Sequence, residues 1–304
     1  MASSTSSKPC GPSSDIEEFG RLLISSKRIL ALCGAGLSAA SGLDTFRGAG
    51  GMWKNYDAME LATPEAFSRD PGLVWLFYSY RRHKALRASP NPGHYALTEL
   101  SKIMPGFITL TQNVDGLHQR ANHPREQLKL LHGSLFDIKC FSCNYLQQNN
   151  YDDPFHPSLS IDSPTDDRLA PSVLSGAAVL DHSTPTIPPS DLPHCPTCTT
   201  GLLRPGVVWF NEMLPQNTLN EVDSFIDDGP IDLIMVIGTT AKVYPAAGYV
   251  SQARGRGAKV ALINTEADDL GAIGYLGKDD FLFQGDSAKI LPEILKPVIG
   301  ELTT

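Results

Sequence analysis

Six short apolar runs set the tightest limit on what this chain can become. Arg28–Cys33 (RILALC), Phe107–Leu110, Leu128–Leu131, Asp232–Ile237, Lys259–Ile263 and Phe281–Phe283 span only three to six residues each. That is strand length, and continuous apolarity marks strands buried on both faces. Helical patterns fall between several of them: Pro71–Leu86, His94–Ile103, Leu219–Phe225 and Pro245–Arg254. A further helix is expected over Asp15–Ser26, with Ser14 as its N-cap, and another over Ser287–Glu301. Strands alternating with helices predict an α/β fold around a parallel sheet covered on both faces. The 304 residues suffice for one large domain or two unequal ones, and no apolar run approaches the roughly 18–20 residues of a membrane span. The formal net charge of −8 argues against nucleic-acid binding by phosphate neutralisation. A mildly acidic, soluble globular protein is expected.

The cysteines add a second constraint. Cys140/Cys143 and Cys195/Cys198 form two C-x-x-C pairs, whereas Cys10 and Cys33 stand alone. The stretch MASSTSSKPCGPSSD lacks the apolar core of a secretory signal, and in a reducing compartment such pairs read as a metal site before they read as disulfides. Four thiolates can close a tetrahedron around Zn²⁺ with no open position, which makes the expected zinc structural. The 51 residues between the pairs exceed the about 15–20 of compact zinc ribbons, but loop closure costs grow slowly with length. Within that gap, residues 147–194 hold eight of the 23 prolines and many Ser, Asp and Asn, and read as a long inserted loop. The expected organisation is a flexible tail at 1–14, an α/β domain split into 15–139 and 204–304, and a zinc-binding small domain at 140–203. Cys33 reads as core and Cys10 as a free thiol.

Three blocks carry the chemistry. The first run passes into Gly34-Ala35-Gly36-Leu37-Ser38-Ala39, a G-x-G-x-x-A turn between strand and helix. Such glycines permit a tight turn and close approach of a pyrophosphate, and the helix start offers free N–H groups. No acidic ribose partner follows about 20 residues on, as an ordinary dinucleotide site would have it. Ser41 to Trp53 (SGLDTFRGAGGMW) instead sets four glycines around an arginine and two aromatics. Next, Thr111-Gln112-Asn113-Val114-Asp115-Gly116-Leu117-His118 follows a strand, where polar side chains face the ligand crevice. Then Leu131-His132-Gly133-Ser134 places one of the eight histidines at a strand end facing the same crevice.

Together with V-I-G-T-T at 236–240, these blocks resemble the sirtuins, the NAD-dependent protein lysine deacylases, in the order that family has them. The resemblance runs over about residues 15–300, excluding most of 147–194. It implies a Rossmann-like, doubly wound parallel sheet with a smaller zinc-binding module inserted. It implies that NAD is consumed, and that nicotinamide and O-acyl-ADP-ribose are released. Gly34, Ala35, Gly36, Ser38, Phe46, Arg47 and Trp53 would hold the pyrophosphate, nicotinamide and ribose. Gln112, Asn113 and Asp115 would line the nicotinamide pocket, with Asp115 accepting from the carboxamide. Gly238, Thr239 and Thr240 would face the cofactor, Asn264, Thr265 and Glu266 the adenosine ribose, and Ser287 the adenine. His132 would be the general base that deprotonates a ribose hydroxyl, a task suited to an imidazole titrating near the working pH.

Two features touch the choice of acyl group. On the helix around Trp75-Leu76-Phe77-Tyr78-Ser79-Tyr80-Arg81-Arg82, Tyr78 can share a face with Arg81 (i, i+3) or with Arg82 (i, i+4). A phenol beside a guanidinium suits a carboxylate. The resemblance favours Tyr78 and Arg81, because sirtuins that remove succinyl, malonyl and glutaryl groups carry Tyr-x-x-Arg here. It also implies that Ala58 and Ala62 widen the acyl pocket. Val207–Asn211 (VVWFN), with Val208, Trp209 and Phe210, resembles the family's edge segment that receives the acyl-lysine peptide as an added strand. The partners expected are acyl-lysine proteins, met by a monomer in cytoplasm and nucleus, with the mitochondrion allowed by family analogy. A plain deacetylase or an ADP-ribosyltransferase stays open within the family. A nicotinamide dehydrogenase would need a hydride-relay set that is not identifiable, and a zinc-dependent nucleic-acid module would need basic residues where 147–194 is acidic.

Overall fold

The computed structural model describes residues 11–45, 52–53, 56–160, 187–266, 268 and 270–302. Helix α1 (Ile16–Ser25) leads into strand β1 (Ile29–Cys33) and a single helical turn, α2 (Gly36–Ala39). The hairpin β2 (Met52–Trp53) and β3 (Tyr56–Asp57) precedes three helices, α3 (Ala58–Leu61), α4 (Pro64–Arg69) and α5 (Pro71–Arg87). Then come α6 (Pro92–Ile103), β4 (Phe107–Thr111), α7 (Leu117–Arg120) and β5 (Leu128–Leu130). A second sheet uses β6 (Gly133–Cys140), β7 (Leu146–Gln147) and β8 (Leu203–Val207). The chain returns through α8 (Gln216–Asp227), β9 (Leu233–Ile237), α9 (Gly248–Gly255), β10 (Lys259–Asn264), β11 (Phe281–Gln284) and α10 (Ser287–Ile299).

The main sheet is parallel throughout, in the order β11-β10-β9-β1-β4-β5. Counted along the chain, that is the doubly wound Rossmann order, and it reverses between β1 and β9. Both faces are covered, so the period-two alternation of β1 feeds two cores. Leu30 and Leu32 pack with Ile234, Val236 and Val250 on one side. Ile29, Ala31 and Cys33 pack with Phe19, Leu97 and Leu291 on the other. Among the described residues, no helix is long and apolar enough to cross a membrane.

A third core lies away from this sheet, and it divides the chain differently from the expected boundaries. Trp53, Ala58, Phe67, Trp75, Phe77 and Tyr78 cluster with Leu135, Ile138, Leu203 and Trp209. Helices α3–α5 therefore share a core with the antiparallel sheet β7-β6-β8 rather than with the parallel one. Over Leu73–Tyr78 the side chains of α5 are buried on every side instead of along a stripe, the pattern of a buried helix. The small module thus draws on two stretches of chain, and its sheet begins at Gly133 instead of Cys140.

A further expectation is corrected at the N-terminal end. Asp15, not Ser14, caps α1: its carboxylate accepts from the N–H groups of Glu17 and Glu18. Ser13, within the expected tail of 1–14, bridges to Phe281 at the sheet edge, its N–H donating to Asp280 O and its carbonyl accepting from Leu282 N. Cys10 and the central part of the 147–194 insert lie outside the described residues.

Candidate active site

A cavity of about 760 Å³ opens at the carboxyl ends of β1 and β9, where the strand order reverses. Ala35, Gly36 and Ser38 line it from one strand end, and Gly238, Thr239 and Thr240 from the other. The glycines serve a purpose the motif alone does not reveal. A Cβ on Gly36 would lie 2.7 Å from Gly238 Cα, and one on Gly34 2.5 Å from Thr239 Cβ. They let the two turns close on each other, with Gly36 N donating to Gly238 O at 2.8 Å. Gly34 itself does not line the cavity. The helix after it is one turn long, so the dipole expected there is correspondingly small.

The polar wall is pre-assembled. Ser38 Oγ donates to Asp115 Oδ2 at 2.7 Å, and Leu117 N to Asp115 Oδ1 at 2.9 Å, so each carboxylate oxygen already accepts one bond. Burial pushes the Asp115 carboxyl up against those hydrogen bonds. Asn113 Nδ2 donates to Gly34 O and Ser38 Oγ, and Thr239 Oγ1 to Gln112 Oε1. His132 sits in the turn between β5 and β6, with Nδ1 3.1 Å from the Gln112 carbonyl. A carbonyl can only accept, so Nδ1 carries the proton and Nε2 the lone pair. Burial lowers the His132 imidazole below its ordinary value, with the Gln112 bond opposing, so it is neutral at pH near 7. Asn264, Thr265 and Glu266 line the same cavity, while Ser287 is buried at the start of α10 and does not. Phe46 and Arg47 lie outside the described residues.

The opposite end is made by α5. Trp53 forms an aromatic wall there with Phe77, ring centroids 5.5 Å apart. Tyr78 and Arg81 line the cavity; Arg82 does not. Arg82 is 1% exposed and donates to the carbonyls of Leu135, Asn150 and Asp152, which tie the second sheet to α5. The i, i+4 alternative is thereby spent on structure. Burial lowers the Arg81 guanidinium from its ordinary value, with Tyr78 and the Asp115 carboxylate acting in the opposite direction. A guanidinium stays charged regardless, so its desolvation is a cost that an incoming anion would relieve. Ala62 faces the cavity, whereas Ala58, 1% exposed, packs in the core beneath it.

The segment Val207–Asn211 departs from the expected open edge. Strand β8 ends at Val207, and the next three amides are taken: Val208 N donates to His132 O, Trp209 N to Glu212 Oε2, and Phe210 N to Ala62 O. Val208 and Phe210 are half-buried at the cavity, and Trp209, which also lines it, is otherwise packed in the core. Sequence reading missed Asp44, Tyr80 and Lys84, which line the cavity near Arg81, and Lys242, Val243 and Tyr244 on the far rim. Lys84 Nζ is 2.6 Å from Asp44 Oδ2. Only the i, i+3 spacing of Lys84 from Arg81 could have flagged the former group.

The four paired cysteines come together outside this cavity, their sulfurs within 4.8 Å of one another. The Cys140–Cys198 and Cys143–Cys195 sulfurs are 3.7 and 3.6 Å apart, far beyond a disulfide. Arms of about 2.3 Å to a central Zn²⁺ give tetrahedral edges of about 3.8 Å, so the set fits the ion. N–H groups of Ser142, Thr197 and Gly201 donate to three of the sulfurs, as thiolates require.

Comparison with known proteins agrees with this geometry. Residues 34–245 match the model of the Sir2 family. The chain is 48% identical to an NAD-dependent protein deacylase of Candida albicans, over 94% of this chain and 99% of that one. It is 41% identical to the dog protein named NAD-dependent protein deacylase sirtuin-5, mitochondrial, over 94% and 86% respectively. Among solved structures, a Sir2 homologue in complex with NAD superposes with a TM-score of 0.73 at 35% identity, covering 95% of this chain and 96% of that one.

Proposed function

The chain belongs to the Sir2 family and is an NAD-dependent protein deacylase; we propose that the acyl groups it removes from lysine are acidic ones, succinyl, malonyl and glutaryl. The observation that carries this reading is that Tyr78 and Arg81 line the same cavity as His132, while Arg82 is turned into the fold. A carboxylate entering that cavity leaves water, and only a partner that both neutralises it and hydrogen-bonds it makes entry favourable. The guanidinium of Arg81 offers a planar donor pair and Tyr78 one more donor from the same helix.

NAD bound across the strand ends would supply the ribosyl carbon to which the acyl oxygen bonds as the nicotinamide bond breaks. Gly36, Ser38, Gln112, Asn113, Asp115 and Gly238–Thr240 would hold it on one side, with Asn264–Glu266 towards the adenosine. His132, protonated on Nδ1, would accept on Nε2 the proton of a ribose hydroxyl; that oxygen would bond to the acyl carbon, and with the addition of water the amide C–N bond would break, releasing the lysine amine and O-acyl-ADP-ribose. Zn²⁺ at Cys140, Cys143, Cys195 and Cys198 is structural, since four thiolates leave no position for substrate. The substrates are acylated proteins. The acting unit in this reading is a monomer. The mitochondrial naming of the vertebrate relatives makes the mitochondrion the first compartment to test, before cytoplasm and nucleus. Turnover of succinyl-, malonyl- and acetyl-lysine peptides with NAD tests the whole reading. A preference for acetyl-lysine would make the protein a plain deacetylase, and ADP-ribosylated protein without deacylation would make it a transferase.

A further inference from the structure

We infer that Trp209 is a positioning residue for acyl choice: its indole N–H fixes the Tyr78 hydroxyl as an acceptor and so turns the phenol's own proton towards the incoming carboxylate. The inference rests on the reading of Tyr78 and Arg81 as carboxylate partners.

Trp209 Nε1 lies 2.9 Å from Tyr78 Oη, and the two side chains are 2% and 1% exposed. An indole N–H is a donor with no acceptor capacity, so the phenol oxygen must accept. Among the described residues, Trp209 is the partner recorded for that hydroxyl, which leaves its proton for the cavity that Tyr78 lines beside Arg81. Burial pushes the Tyr78 phenol up to about 12, opposed by Arg81 and by the bond from Trp209, so the group stays protonated at neutral pH.

The indole is itself clamped. The Arg204 guanidinium carbon lies 3.1 Å from the centre of the Trp209 ring, and Arg204 pairs with both oxygens of Glu212. Glu212 Oε2 in turn accepts from Trp209 N at 2.8 Å, and Lys139 Nζ lies 3.7 Å away from it. Ring face and backbone of one residue are thus held by one ion pair, with Phe67 against the ring at 5.3 Å. An indole so fixed gives the phenol one orientation before the substrate arrives, which spares the ordering cost at binding.

Steady-state kcat/KM for succinyl- and acetyl-lysine peptides, measured in wild type, Trp209→Phe, Tyr78→Phe and the double variant, tests this. Each single substitution should lower the succinyl-to-acetyl ratio by roughly 10- to 150-fold, the worth of one hydrogen bond to a charged group. The double variant should lower it no further, because both changes remove the same oriented donor. A folded Trp209→Phe with the wild-type ratio, or losses that multiply in the double variant, would reduce Trp209 to core packing. If Trp209→Phe does not fold, the indole ¹H–¹⁵N spectrum of Tyr78→Phe decides. One of the three tryptophan signals should shift against wild type; no shift overturns the inference. A wild type that prefers acetyl-lysine, or equal losses for both peptides in Arg81→Met, would instead remove the underlying reading and this inference with it.

Discussion

The two ends of the cavity are built from different material. At the strand ends polar side chains such as Ser38, Asn113, Asp115 and Thr239 stand on tightly fitted main chain: a single Cβ on Gly34, Gly36 or Gly238 would strike the facing turn. Around α5 the wall is side chain: Trp53, Phe77, Tyr78 and Arg81, carried by a core separate from the parallel sheet. Main chain fitted that closely leaves little room for a change of residue, which suits a fixed ligand. A wall of side chains can be rewritten one residue at a time, and that is where the proposed acyl selectivity would reside.

Removing the zinc should separate the two ends most sharply. Cys195→Ser, or strong chelation, takes away metal-binding energy that is also folding energy, a loss of more than about 4 kcal/mol. Hydrogen exchange should rise first in α5 and β6–β8 and last in β1 and β9. Metal analysis that finds no zinc in folded, active protein would end the assignment. His132, at the junction, should not discriminate. His132→Ala should keep NAD binding and lose about 10²–10⁴-fold in kcat/KM for succinyl- and acetyl-lysine alike. Near-wild-type turnover in a folded variant would take His132 out of the chemistry. Its pH profile follows from its lowered pKa: the acid limb of kcat/KM should fall below the ordinary histidine value of 6.5.

Arg81→Met should strike one end only. Succinyl-lysine should lose roughly 2–5 kcal/mol of transition-state stabilisation, the cost of unpairing a buried charge, and acetyl-lysine at least about tenfold less in rate. Lysine at position 81 should restore part of the loss, since a point charge lacks the bidentate fork. Equal losses would mean that Arg81 supports the fold.

The test that needs no substitution is acidification. Behind the backbone-built wall, His94, His118 and His123 are buried with ring centroids 5.0 and 5.8 Å apart along the row. Burial lowers all three, His94 to about 3, so the folded protein keeps them neutral while the unfolded chain takes up protons below about 6.5. Stability is therefore full above that value and is lost as pH falls, by at most about 1.4 kcal/mol per pH unit for each histidine. Denaturant midpoints at about pH 7 and about pH 5 measure it. Equal midpoints would show that the row is solvated.

The backbone-built end was the more legible in sequence. Strands β1 and β9 are buried on both faces, Leu30 and Ile234 on one and Ala31 and Met235 on the other, so apolar runs marked the strands, and each strand's polar successor marked the crevice. His132 and the cysteines announced themselves by residue type and spacing. The small module was harder to read because its determinants are distant in sequence. Helix α5 shows no apolar stripe to say which core it joins. Whether Arg81 or Arg82 faces the cavity depends on carbonyls at 135, 150 and 152. Val207–Asn211 alternates like a strand, yet Ala62 and Glu212 capture its amides. No local pattern records those partners.

The divided construction of the small module also has a history in time. The indole of Trp75 finds its acceptor at Leu203 O, 128 residues further along the chain. A ribosome adding about 5–20 residues per second needs roughly 6–26 s to deliver that carbonyl. For most of that interval the apolar first half of α5 is without the β8 side chains it packs against, and Cys195 and Cys198 arrive only at its end.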